Sequence, residues 1–125
     1  MPGLDRLHGL RVVAEPAALD AARWRGGADI TVLRLAPDDA FAIGADAVDI
    51  DDEHAIIESE AGFAGAWLPV EAIAHHVEWA LPTDRPALAQ GAVAQVPARV
   101  WLPGDGDALL FIAAAYADEL AGRLR

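Results

Sequence analysis

Residues 86–125 read PALAQGAVAQVPARVWLPGDGDALLFIAAAYADELAGRLR, and this stretch decides the fold. Two apolar runs, Ala98–Leu102 and Ala108–Ala113, flank Pro103-Gly104-Asp105-Gly106-Asp107. Asp-Gly between apolar runs signals a hairpin, here with a loop lengthened by Pro103 and Gly104. After Ile112 the period changes. Ala113, Ala117, Leu120, Ala121 and Leu124 recur at three and four residues, which predicts a helix over Ala113–Leu124 with one apolar stripe. Such a helix must bury its stripe, and the apolar face of the hairpin is the nearest surface. The chain therefore ends as hairpin, then helix.

Working back toward the N-terminus, Pro69–Ala80 reads as a second helix. Pro69 opens it, Val70, Ile73, Val77 and Leu81 form its stripe, and Leu81-Pro82 ends it. Thr83–Pro86 is a link, and Ala92–Val96 is a further strand stopped by Pro97. His54–Ser59 is a strand, and Ala61–Leu68, broken by Gly62 and Gly65, is a short turn or strand carrying Phe63 and Trp67. Ile30–Leu35 alternates as a half-buried strand, Pro37-Asp38-Asp39 is turn chemistry, and Ala40–Ile43 returns. Leu10–Ala14 is a first strand. Glu15-Pro16 opens a helix over Ala17–Trp24, and Gly26-Gly27 ends it. The hairpins VLRLAPDDAFAI (32–43) and RVWLPGDGDALLFI (99–112) share an apolar run, a Pro, two acids, an Ala and a second apolar run. Duplication or convergence explains that equally well. The expected fold is α+β, a small single domain over 1–125. A mostly antiparallel sheet carries helices packed on one face, in a ferredoxin-like arrangement, with an acidic loop or insert at about 45–53.

The chain has 125 residues, which suits one domain. It contains no Cys, so disulfides and thiolate metal sites are excluded. All nine basic residues are Arg, so lysine Schiff-base chemistry is excluded too. No apolar run reaches the length of a membrane span. The N-terminus MPGLDRLHGLRVV lacks the pattern of an export signal, so the expected location is cytoplasmic. Net charge is -11, and residues 35–84 hold twelve acids and no Arg. That field repels a phosphate backbone, which argues against nucleic acid; the acids read first as a solvated face that keeps the chain soluble, with a basic protein or cationic ligand as the alternative.

Few residues offer chemistry. Asp46, Asp49, Asp51, Asp52, Glu53 and His54 are a dense set of candidate ligands, but the central Gly and distal Glu of a calcium loop are missing. Val48 and Ile50 interrupt the run at alternate positions, as in an edge strand or ordered loop. No metal and no cofactor are expected. Gly26-Gly27 lacks the spacing and the Lys of a phosphate loop. Ser59, the single Ser, stands as Glu-Ser-Glu, outside any nucleophile elbow. Glu71 and His75 lie one helical turn apart and are the one polar pair suited to general-base work, beside His76 and Glu78. Four Trp is a high number for this length. Trp24 falls in a predicted helix. Trp67, Trp79 and Trp101, together with Tyr116 at the edge of the last helix stripe, are the interaction or ligand candidates.

At residues 88–124 the chain resembles the C-terminal part of the gamma subunit of heterotetrameric sarcosine oxidase, which is related to the folate-binding, aminomethyltransferase-like family. The resemblance is carried by the order LAQGAVAQVPARVWL, a polar turn, then ALLFIAAAYADELAGRL. The matching positions are Gln90, Val96, Pro97, Trp101, Asp105, Asp107, Tyr116, Ala117 and Leu120. Val32–Ile43 resembles, more faintly, a hairpin nearer the family's N-terminus. Ala114-Ala115 stands where the family has Arg-Ser, and Ala45–Glu53 has no counterpart. The resemblance implies a non-catalytic accessory subunit of an amine-oxidising or one-carbon-transfer complex. Its partner is a larger protein or, in a homodimer, a second copy. The alternatives are a module binding a folate-like small molecule and a small enzyme using Glu71 and His75.

Overall fold

Alternating apolar residues draw most of the chain into strands. The computed structural model describes residues 3–124. Its elements are β1 (Asp5–Val13), α1 (Pro16–Asp20), β2 (Arg23–Ala36), β3 (Asp39–Asp49), β4 (Ile56–Leu68) and α2 (Val70–Ala74). Then come β5 (Ala87–Val93), β6 (Val96–Leu102), β7 (Ala108–Ala113), a 3-10 turn (Ala114–Tyr116) and α3 (Ala117–Arg123). The protein is α+β, and the pairings β1–β3, β2–β3, β4–β7, β5–β6 and β6–β7 are all antiparallel. Contacts cluster into two units, Leu7–Ala61 and the remainder, and β4 gives residues to both.

In the first unit the strand order is β2-β3-β1-β4. The chain crosses from β1 through α1 to β2, then returns as β3 between them. Leu10 pairs with Ala42 and Val12 with Ala40, so these four share one face. Leu19 of α1 joins them in a buried cluster with Ala14 and Ala45. On the opposite face Leu33 pairs with Phe41, and both are fully buried. Each of these large side chains contributes about 1.5–3 kcal/mol. Arg11, the β1 neighbour of Phe41, holds Asp39 with both ends of its fork, at 2.6 and 2.7 Å, and Glu60 at 2.9 Å. Its proton is held more tightly than usual, chiefly by the bond to Asp39, against the opposing effect of partial burial.

Several boundaries differ from the sequence reading. The helix expected over Ala17–Trp24 is only Pro16–Asp20, and Trp24 lies in β2, half-buried against the first cluster. Gly26-Gly27 does not end an element. It marks an irregularity inside a fourteen-residue strand, with register shifts at Arg25/Gly26 and Gly26/Thr31. A Cβ on Gly26 would run into the carbonyl oxygen of Gly44, so the close approach of β2 and β3 requires glycine there. Of the acidic stretch, Ala45–Asp49 completes β3 opposite Arg23–Gly26, because Arg25 and the alternating Val48 give it partners. Gly62 and Gly65 likewise lie within one thirteen-residue strand, β4.

In the second unit the order is β4-β7-β6-β5. Leu68, Val100, Leu102, Leu110 and Ile112 form the core face, covered by Ile73 of α2 and by Leu120 and Leu124 at the end of the chain. Helices therefore do pack on one face of this unit. The helix expected over Pro69–Ala80 stops at Ala74. The His76 N–H bonds the Ile73 carbonyl at 2.9 Å, tightening the last turn, and the His76 carbonyl accepts the Ala94 N–H at 2.7 Å. A tertiary bond replaces the next helical one. Val70, Val77 and Leu81 still reach the core as the stripe anticipated. The helix expected over Ala113–Leu124 begins as strand and 3-10 turn and is α-helical only from Ala117. Ala92–Val96 is not one strand: Ala92-Val93 ends β5, Ala94-Gln95 is the hairpin turn and Val96 begins β6. Val93 pairs with Val96 around Ala94 and Gln95, both at positive φ (48° and 68°). Pro97 sits inside β6 two residues before Arg99–Trp101, the stretch that pairs with β7, so its missing N–H falls outside that ladder.

Candidate functional site

The period of two along β4, β7, β6 and β5 gives the second unit a second face, opposite its core. Register sets three rows on it. Trp67 lies beside Leu109, which lies beside Trp101, which lies beside Leu88. Gly65, Phe111, Arg99 and Gln90 form the next row, and Phe63 with Ala113 the third. Leu109 and Phe111 are fully buried, whereas Trp67 is 48% exposed and Trp101 half-buried. Two of the Trp candidates thus flank one Leu across three strands, although they lie on strands far apart in the sequence. Tyr116, 49% exposed, stands at the end of this face. It lines a cleft of about 370 Å³ with Phe63, Arg99 and Gln90.

The local chemistry of that cleft is set by aromatics and donors. Phe63 meets Phe111 edge-on with centroids 5.7 Å apart. The Arg99 guanidinium lies 5.8 Å from the Phe63 centroid, within cation–π range. No Asp or Glu lines the cleft, in a chain with twenty acids. Neither Phe63 nor Arg99 was singled out by the sequence. Both are single residues in apolar strands, and only register brings them together.

Trp79 is placed elsewhere. Its ring lies over Gly91, where a Cβ would come within 2.7 Å of it, and its indole Nε1–H donates to the Ala92 carbonyl at 2.9 Å. It covers one end of the β5 edge and lines a cleft of about 590 Å³ with His75, His76, Glu78 and Arg123. Arg123 donates to the Ala94 carbonyl at 2.9 Å and to Glu119 at 2.7 Å. Glu71 does not line this cleft, and its backbone carbonyl accepts the His75 N–H at 3.3 Å. Glu71 therefore stands outside the cleft that His75 lines. The bonds from Trp79, Arg123 and Ala94 clasp the turn of the β5–β6 hairpin.

Elsewhere, Asp52 accepts the Glu15 N–H and the His54 N–H, each at 2.9 Å. These bonds, that from Glu15 first, hold its carboxyl below the usual carboxylate range. Among the described residues no group of three or more His, Asp or Glu is placed to hold a metal ion, and no helix is long and apolar enough to cross a membrane. Compared with known proteins, the chain matches no family model, no curated protein and no solved structure at a significant level.

Proposed function

We propose that this chain is a non-catalytic interaction subunit that docks a larger protein on the face carrying Trp67 and Trp101. The observation that carries the reading is the row Trp67–Leu109–Trp101–Leu88, an apolar band across four strands with one Trp 48% exposed. Tryptophan is the residue most enriched in interface hot spots. The occupant is a larger partner with a basic surface rather than a second copy. The net charge of -11 opposes self-association, and residues 7–61, with twelve acids against four Arg, steer a cationic partner toward the molecule.

The resemblance of residues 88–124 to the sarcosine oxidase gamma subunit supports a cytoplasmic accessory subunit in an amine-oxidising or one-carbon-transfer complex. The strand order β2-β3-β1-β4 with α1 as crossover supports a ferredoxin-like reading of the first unit. In the second unit β7 lies between β4 and β6, which departs from that order.

The test is co-purification from the native cell followed by mass measurement of the intact assembly. The expected result is a defined hetero-complex that weakens as salt rises. Trp67→Ala and Trp101→Ala should each cost it about 2 kcal/mol or roughly thirtyfold in affinity, with the circular dichroism of the free chain unchanged. A strictly monomeric species at micromolar concentration, or a complex indifferent to both substitutions, overturns the proposal.

A further inference from the structure

Arg99 is the anomaly of the exposed-Trp face. Arg11, Arg25, Arg34 and Arg123 each hold an acid. Arg99 is half-buried, yet among the described residues its guanidinium has no hydrogen bond and no ion pair, only the ring of Phe63. A partly desolvated charge without an anion is unfavourable by itself. The groups around it are of one kind. Gln90 is its cross-strand partner and carries a carboxamide N–H, and Tyr116 brings a phenol O–H. Neither has a hydrogen-bond partner among the described residues. The guanidinium lies over the Phe63 ring, 5.8 Å from its centroid, and Phe63 in turn meets Phe111 edge-on. A planar fork with flanking donors and apolar walls is complementary to a carboxylate.

We infer that Arg99, with Gln90 and Tyr116, receives an acidic side chain of the docked partner, presented between apolar residues that lie on the Trp67–Trp101 row. This rests on the docking reading and adds the chemistry of one contact to it. The partner segment crosses the sheet face, an Asp or Glu meeting Arg99 and its apolar neighbours meeting Trp101 and Leu88. Its overall basic charge and this single acid are separate features. The first acts at long range on the acidic residues 7–61, the second only at contact.

The experiment titrates the full chain with N-acetyl-Leu-Glu-Leu-amide, its Gln counterpart and sodium benzoate, followed by the Arg side-chain Nε–Hε resonances and the Tyr116 ring signals. The expected result is millimolar binding of the Glu peptide that shifts Arg99 and Tyr116. Binding of the Gln peptide should be at least tenfold weaker. Arg99→Gln should lose the response tenfold or more, while Arg99→Lys retains part of it. Equal binding of the Glu and Gln peptides, or an unchanged response in Arg99→Gln, overturns the inference. So does a response confined to benzoate, which would make the cleft a small-molecule site. In the intact hetero-complex, Arg99→Gln should weaken affinity about tenfold. A complex that responds to Trp67→Ala but not to Arg99→Gln sinks this inference and leaves the docking reading standing.

Discussion

Gln95→Gly should stabilise the protein. Ala94 and Gln95 form a two-residue hairpin turn with φ of 48° and 68°, the geometry usually supplied by Asn-Gly. A side chain in that region costs about 1–2 kcal/mol per residue. Glycine removes the penalty at residue 95 but makes the unfolded chain freer, which returns about 0.5–1 kcal/mol. Gln95 is exposed, so its side chain takes little packing with it. Ala94 packs against the core cluster and is left in place. The net gain is about 0.5–1 kcal/mol, or roughly 0.3–0.7 M in the urea midpoint at an m-value near 1.5 kcal/mol/M. Urea unfolding followed by circular dichroism reads this directly, with m unchanged. The partner substitution Gln95→Val, β-branched in the same region, should lower the midpoint. An unchanged or lower midpoint for Gln95→Gly would refute the reasoning, because it would mean that the turn carries no penalty for a side chain.

Gly91→Ala should destabilise by about 1–2 kcal/mol, since the new methyl displaces Trp79 and breaks its bond to Ala92. Thermal unfolding checks it, and a rise in Tm would show that Trp79 moves at no cost. Arg11→Met should cost about 2 kcal/mol by removing the two-pronged ion pair with Asp39 and the bond to Glu60; an unchanged urea midpoint would argue against it. Asp52→Asn tests a pH window. The folded carboxyl titrates below its unfolded value of about 3.9, so its contribution is present above that pH and lost as pH falls through the lower folded value. Wild type should therefore exceed Asp52→Asn in urea midpoint at pH 6, and the difference should shrink toward pH 2. A difference independent of pH would sink this account.

The site was legible only in pieces. Trp67, Trp101 and Tyr116 stand out by residue type, and period two predicts that Trp67 faces away from Leu68. Nothing local places Trp67 next to Leu109 and Trp101, because that depends on how β4 registers on β7 and β7 on β6. Arg99 and Phe63 carry no signal at all before register is known. Glu71 and His75 looked like a pair because they lie one helical turn apart, and that spacing is kept by the His75 N–H bond to the Glu71 carbonyl, but the cleft that His75 lines does not include Glu71.

The sequence by itself determined the hairpins within 32–43 and 99–112 and the amphipathic end of the chain. Their causes lie within a few residues: Pro-Asp-Asp or Gly-Asp-Gly-Asp turns, apolar runs and a change of period at Ile112. The tertiary structure alone decided the rest. Gly26 and Gly62 are strand interiors because neighbouring strands approach their backbones or continue past them. The β5–β6 hairpin turns on Ala94-Gln95, which has no turn chemistry of its own. The His76 carbonyl, Arg123 and Trp79 hold that turn and the strand beside it, from segments 13 or more residues away along the chain. Local propensity is a sum over neighbours in sequence, whereas these positions were settled by hydrogen bonds to groups that only folding brings within 3 Å.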